Sequence, residues 1–515
     1  MKSTAETGMV FLVGAGPGDP GLVTQKAIDC IRSADVVVYD YLAAAELLQY
    51  AAAAAEKIYV GKKGGDHTLS QAGINALIVE KAAAGKTVTR LKGGDPFIFG
   101  RGGEEAQQLA AAGIGFEIVP GVTSAIAAPA YAGIPLTHRQ FASTLTFITG
   151  HEDPTKSGSR INWQALADSR GTLVFLMGVK NLPRITELLR RHGRDPQTPV
   201  ALVRWGTTAR QQTVSGTLAT IAERVAEAGL KAPAVIVVGE VVRLRKELAW
   251  FENRPLWNKH IVVTRARQQA SDLVKRLSAL GARCLEIPTI RIVPPPSWEP
   301  VDRAIAALSN YHWLIFTSVN GVTFFFERLD AQGLDARALA GLHTAAIGPA
   351  TARRLRHYGL RSDIVPENYR AEGVLAAFSQ HDLSGRRILL PRAREARPVL
   401  PVELARMGAA VDEIAIYETR ASQDKAGTLI AALEKRSIDM VTFTSSSTVK
   451  NFHALLPAGD FKKLMAPVTV ASIGPITTRT ARELGFTVSV EAPVFTIDGL
   501  CSAIVDFFHE RQTDR

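Results

Sequence analysis

Three segments in the second half of the chain return in the same order at nearly one spacing. IVVTRAR (261–267) is echoed by ILLPRAR (388–394), FTSVNGV (316–322) by FTSSSTV (443–449), and AIGPATARRLRHYGL (346–360) by SIGPITTRTARELGF (472–486). The steps are 127, 127 and 126 residues. Solenoid units run about 20–50 residues, so this period is too long for one. It has the length of a small domain. The second half therefore reads as one α/β design used twice. Each copy also carries a helix-length stretch ending in Gly and then an extended run, LVKRLSALGARCLEIPTIRIV and VLPVELARMGAAVDEIAIYETR. The extended ends, 286–293 and 413–420, alternate in character. Pairing them would join the two copies.

The first half repeats a different unit. Short β-branched runs at 9–14, 36–40, 87–91, 144–149, 172–177 and 234–239 alternate with Ala/Leu/Glu-rich segments of helix length. That alternation marks α/β layers with largely parallel sheets. A charged segment with Pro255, RKELAWFENRPLWNK (245–259), ends one helical pattern before a fresh strand begins, and a boundary is placed near 255. With 515 residues, several folding units are expected. Apolar residues at 46% and charged residues at 21% exclude a disordered, collagenous or coiled-coil chain. No apolar run is long enough for a membrane span. The amino terminus lacks the layout of a secretory signal, so a cytoplasmic location is expected. Cys30, Cys284 and Cys501 form no CxxC pair, which argues against a disulfide framework or a zinc site. No metal is expected. The net charge of +11 points to an anionic partner. The basic residues are scattered and lack interleaved aromatics, which disfavours nucleic acid.

Three strand-to-helix loops carry the chemistry. In GAGPGDP (14–20) the sixth position of a GxGxxG pattern is Asp19, whose charge would repel a pyrophosphate, so a dinucleotide loop is rejected. AGKT (84–87) fails as a Walker loop, because the first Gly it requires falls at Glu80. TRLKGGDPFIFGRGGEEAQQL (89–109) and EIVPGVTSAIAAPAYAGIPLTHR (117–139) again put glycines and hydroxyls directly after a strand. Open α/β sheets bind ligands at the carboxyl ends of their strands, and three such loops favour a ligand site there over three ordinary turns.

GAGPGDPGLVT, VYD, VGKKGG, LKGGDPFIFGRGGEE, VPGVTSA and GIPLTHR, in order over residues 9–245, resemble uroporphyrinogen-III C-methyltransferases. The resemblance implies a bilobal tetrapyrrole-methylase fold with lobes at about 9–120 and 121–245, followed by a linker at 246–258. It implies transfer of two methyl groups from S-adenosylmethionine to uroporphyrinogen III, giving precorrin-2 and S-adenosylhomocysteine. The family's cofactor contacts match Pro17, Gly93, Gly94, Asp95, Ile98, Thr123, Ser124, Met177 and Gly206. Its proton acceptor matches Asp40 and its proton donor Lys62, while Arg101 and Glu104 match residues that handle the tetrapyrrole. Read from the residues alone, Asp40 serves equally well as an N-cap, Lys62 as a solvated loop lysine, and Arg101 with Glu104 as a surface pair. Relatives are homodimers, so a homodimer through this half is expected.

LWNKHIVVTRAR, the paired TSxxxV and IGP motifs and IAIYETR resemble uroporphyrinogen-III synthase over residues 256–510. This implies a two-lobed fold with a duplicated flavodoxin-like domain, lobe one at about 259–288 plus 422–510 and lobe two at about 294–414. The implied reaction is closure of hydroxymethylbilane to uroporphyrinogen III. Tyr417 matches the family tyrosine near the leaving hydroxyl; a buried linker-strand aromatic is the plain alternative. Ser318, Ser445, Gly474 and Thr477 are expected on strand-to-helix loops, placed either to bind substrate carboxylates or simply to cap helices. The whole chain is then a bifunctional enzyme of the sirohaem and cobalamin branch. The alternative is a lone methyltransferase with an inactive synthase-like half.

Overall fold

The computed structural model describes residues 8–43, 45–61, 69–151, 160–264 and 267–513. The chain separates into two compact units that divide between Lys259 and His260, with Leu277–Arg283 grouped with the first.

The first unit holds two five-stranded sheets. β1 (Val10–Gly14), β2 (Val36–Tyr39), β3 (Glu56–Tyr59), β4 (Val88–Lys92) and β5 (Phe116–Val119) form a parallel sheet in the order β3-β2-β4-β1-β5. Alternate residues of a strand face opposite sides. Val10 and Leu12 accordingly join one core with Val36, Val38 and Val88, while Val13 joins the other with Val37 and Leu91. Burial on both faces explains the near-continuous apolar runs of β1 and β2. Helices between them start on local signals: Thr24 accepts the Ala27 N–H (3.2 Å) and so caps the helix Gln25–Ser33, whose buried Ala27, Cys30 and Ile31 recur at helical spacing. β6 (Leu145–Thr149), β7 (Thr172–Leu176), β8 (Pro199–Arg204), β9 (Gln212–Thr217) and β10 (Ala234–Val238) form the second sheet in the order β6-β7-β10-β8-β9. Only β6 and β7 pair in parallel there; the other pairings are antiparallel.

The second unit contains β11 (His260–Val263), β12 (Arg283–Glu286), β13 (Ile290–Val293), β14 (Trp313–Phe316), β15 (His343–Ala346), β16 (Arg387–Ala393), β17 (Ala410–Ala421), β18 (Met440–Phe443), β19 (Thr469–Ser472) and β20 (Val488–Glu491). Its sheets run β12-β11-β18-β19-β20 and β13-β17-β16-β14-β15. The first is the flavodoxin-like order 2-1-3-4-5. The sequence repeat equates β11 with β16, β18 with β14 and β19 with β15, and the two sheets match position for position on that equivalence. In the second sheet the pair β14–β15 comes before β16–β17, so one copy is a circular permutation of the other. The two extended segments do pair: β13 lies antiparallel to the end of β17, with Ile290 opposite Ala421 and Val293 opposite Glu418.

Cys30 and Cys501 are buried, and burial raises both thiols, that of Cys501 to about 11. Cys284 is only half-buried. Among the described residues no helix is long and apolar enough to cross a membrane.

Candidate active site

Glycines close the carboxyl edge of the first sheet. β1 and β4 end level, with Gly14 opposite Lys92. The loops that follow bond to one another: Gly16 N–H donates to Gly94 O (3.2 Å) and Gly94 N–H to Gly16 O (2.7 Å). A Cβ on Gly14 would lie 2.5 Å from Gly121 Cα, and one on Gly121 would lie 2.4 Å from Gly94 O. Three chain segments meet this closely only without side chains. Asp95 ties the corner together. Its Oδ1 accepts the N–H groups of Phe97 (2.8 Å) and Ile98 (3.1 Å), and its Oδ2 accepts that of Gly121 (3.1 Å). Thr123 caps the helix Ser124–Tyr131, and a Cβ on Gly94 would stand 3.6 Å from Ser124 N. Gly206, after β8, packs on the same helix, 2.3 Å from Ala128 Cβ for a Cβ built there.

Pro17 lies in the loop after β1. Its neighbour Asp19 donates its N–H to Thr207 Oγ1 (3.0 Å) and accepts the Tyr131 hydroxyl (2.8 Å). Burial first, and then this carboxylate, push the Tyr131 phenol up to about 12. The residue that excludes a dinucleotide thus ties this loop to the second sheet. Among the described residues seven non-glycines have positive φ, and Phe99, Arg101, Met177, Trp205 and Thr207 of these lie in the loops after β4, β7 and β8. Such backbone is held only where its surroundings over-determine it, and it concentrates at functional sites. The loops after β2 and β4 expose Tyr41, Leu42, Phe97 and Phe99, leaving an apolar rim, and the loop after β7 exposes Met177.

Asp40 follows β2 beside the glycine corner: a Cβ on Gly93 would fall 2.5 Å from Leu42 Cβ. Asp40 Oδ1 accepts the Leu42 N–H (3.1 Å) and Oδ2 accepts Arg90 Nη2 (3.0 Å). Asp40 caps a tight turn there, not the first turn of a helix. Arg90, Lys92 and Glu105 did not stand out from the sequence. The usable signal was two cations at i and i+2 in an apolar strand, which must share one face and find a buried carboxylate. Burial, and after it the charge of Arg90, hold the Lys92 ammonium below its usual range.

Arg101 and Glu104 form a two-bond fork (2.9 and 2.6 Å) at the surface. That bond holds the Glu104 carboxyl below, and the Arg101 guanidinium above, its ordinary value. Lys62 lies outside the described residues.

In the second unit Tyr417, on β17, is buried, and its hydroxyl lies 3.0 Å from Ser318 Oγ. Its ring stacks on Phe324, and burial raises the phenol above its usual value. Ser318 caps the helix Val319–Ala331, and its repeat mate Ser445 forms a capping box with Thr448 on the helix Ser446–Ala454. Gly474 precedes the helix Pro475–Glu483. Thr477, expected on a loop, lies instead inside that helix's first turn and is buried. The repeat also places Tyr369 against Gly348 and Phe495 against Gly474, both rings exposed, which no motif had marked.

The family described as tetrapyrrole (corrin/porphyrin) methylases matches residues 9–222, and that described as uroporphyrinogen-III synthase HemD matches residues 271–502. The chain is 37% identical over 503 residues to the porphyrin biosynthesis protein HemD of Ruminiclostridium josui, covering 97% of this chain and 98% of that one. It is 43% identical to the uroporphyrinogen-III C-methyltransferase of Bacillus subtilis over 73% of this chain and 76% of that one. Its first half is 58% identical to the S-adenosyl-L-methionine-dependent uroporphyrinogen III methyltransferase of Methanosarcina barkeri, over 46% of this chain and 93% of that one. With both parts matched in order and one relative aligned almost end to end, the chain belongs to the porphyrin-biosynthesis family that joins a tetrapyrrole methylase to a uroporphyrinogen-III synthase.

Proposed function

We infer that the chain is a bifunctional enzyme of tetrapyrrole biosynthesis. Its second half closes hydroxymethylbilane to uroporphyrinogen III, and its first half methylates that product twice to precorrin-2, for the sirohaem and cobalamin branch. The observation that carries this is the glycine corner with a carboxylate beside it, at the carboxyl edge of a parallel sheet.

The corner suits S-adenosylmethionine: its backbone meets without side chains, leaving N–H and C=O groups for an amino-acid and ribose end. Gly93, Gly94, Thr123 and Ser124 supply that backbone, while Ile98, Met177, Pro17 and Gly206 complete the pocket and Asp95 keeps the loops closed. When bound, the cofactor supplies a methyl group on a sulfonium. Transfer of that methyl to a ring carbon would require the macrocycle to give up a proton. Asp40, kept in place by Arg90, takes that proton. Lys62 is the donor in the same reading. Arg101 trades Glu104 for a substrate carboxylate, which its planar fork fits equally well. The enzyme acts as a cytoplasmic homodimer joined through this half.

In the second half, the hydroxyl of hydroxymethylbilane takes up a proton and leaves as water, and the carbon it leaves becomes part of a cationic azafulvenium. Tyr417 donates a hydrogen bond to the departing hydroxyl. Burial favours the neutral phenol, which is the donating form. Ser318, Ser445, Gly474 and Thr477 stand at helix starts, where partial positive charge attracts carboxylates. Tyr417→Phe is expected to slow ring closure about 10–100-fold, read as the initial rate of uroporphyrinogen III formation. Methylation of supplied uroporphyrinogen III stays at the wild-type rate. Unchanged closure removes Tyr417 from the mechanism. If the wild-type chain does not close the ring, the synthase half is inactive and only the methyltransferase reading stands.

A further inference from the structure

Two cations lie inside a sheet whose neighbours are apolar. Arg90 and Lys92, on one face of β4, are 3% and 4% exposed. Unpaired, either charge would be too costly to bury. One carboxylate serves both. Glu105, 1% exposed on the helix Gly102–Ala111, accepts Arg90 Nε (3.3 Å), Lys92 Nζ (2.8 Å) and Gln71 Nε2 (3.0 Å) on Oε1. Its Oε2 has no hydrogen-bond partner among the described residues.

Each cation then reaches a different part of the site. Arg90 gives Nη1 to the carbonyls of Leu91 (3.0 Å) and Val38 (3.4 Å), and Nη2 to Asp40 Oδ2 (3.0 Å). Lys92 accepts the Ala15 N–H on its carbonyl (2.7 Å), and Gly93 and Gly94 follow it directly.

We propose that Glu105 is the positioning residue of the methyl-transfer site: through Arg90 it aims Asp40, and through Lys92 it fixes the two glycine loops. The inference rests on Asp40 being the proton acceptor. Asp40, Arg90, Glu105 and Lys92 together are electrically balanced. Without Glu105, two buried cations face each other. Lys92 can shed its proton, whereas Arg90 cannot. Arg90 then has Asp40 as its one carboxylate partner and draws it off its aim. Glu104, next in sequence, is exposed and bound to Arg101, so the two adjacent glutamates do different work.

The test is steady-state methylation of uroporphyrinogen III by the full chain. Glu105→Gln is expected to lower kcat about 10–100-fold, with KM for uroporphyrinogen III within about threefold, because the residue touches no substrate. The double variant Lys92→Met/Glu105→Met removes a compensating pair, a change that interiors tolerate. It decides the question if the single variant fails to fold. It is expected to keep the wild-type unfolding midpoint within a few degrees and still lose kcat at least about 10-fold. Wild-type kcat in either variant overturns the proposal, as does a raised KM with kcat unchanged. Asp40→Asn, run in parallel, separates the two ideas. Full methylation by that variant overturns the reading of Asp40. Loss there, with wild-type kcat in the Glu105 variants, overturns only the role of Glu105.

Discussion

Asp40→Ala is expected to cut methylation about 10²–10⁴-fold, the usual cost of losing a positioned proton acceptor. The carboxylate lies beside the glycine corner and is partly open to solvent, its side chain 26% exposed. Removing it frees only Nη2 of Arg90, which keeps Glu105 and two backbone carbonyls as partners. The fold therefore survives, and ring closure by the second half proceeds at the wild-type rate. Initial rates of methyl transfer to uroporphyrinogen III, measured beside closure rates with hydroxymethylbilane, read both effects. A methylation rate equal to wild type would remove Asp40 from the chemistry.

Gly121→Ala is expected to weaken binding of S-adenosylhomocysteine by at least about 100-fold, or roughly 2.7 kcal/mol. The new Cβ would sit 2.4 Å from Gly94 O and 2.8 Å from Gly14 Cα. Both are backbone atoms, so no side chain can swing aside; the loops must part. Parting them also breaks the bond from Gly121 N–H to Asp95 Oδ2 (3.1 Å), the tie that keeps the corner shut. Gly103→Ala is the control. A Cβ there meets nothing within 4 Å, so this variant keeps wild-type affinity. Calorimetric titration with S-adenosylhomocysteine distinguishes them. Equal affinity for the two variants would mean that the glycine corner does not form the cofactor site.

The parts of this molecule that were legible in the sequence are those set by backbone. Gly14, Gly94 and Gly121 stand at or just after strand ends, where backbone crowding at Gly14 and Gly121 and a positive φ at Gly94 disfavour a side chain, and sequence shows that kind of constraint directly. The repeat likewise paired β11 with β16 and β18 with β14, because equivalent strands keep equivalent residues. That one copy is permuted was hidden, since spacing reports which strands correspond and not how a sheet orders them. Glu105 was hidden for a related reason. Arg90 and Lys92 lie 15 and 13 positions before it, and only packing of a helix on β4 brings them together. Their charges vanish into a composition that is basic everywhere. Thr477 misled because a loop and the first helical turn read alike when a proline starts the helix. Asp19 was informative only as an exclusion; its bond to Tyr131 spans 112 residues.

The most direct test supplies the intact chain with hydroxymethylbilane and S-adenosylmethionine and follows products by mass. Accumulation of a cyclised tetrapyrrole carrying two added methyl groups, with two equivalents of S-adenosylhomocysteine, is the expected result. Uroporphyrinogen left unmethylated, with the methyl donor unconsumed by well-folded protein, would contradict the account.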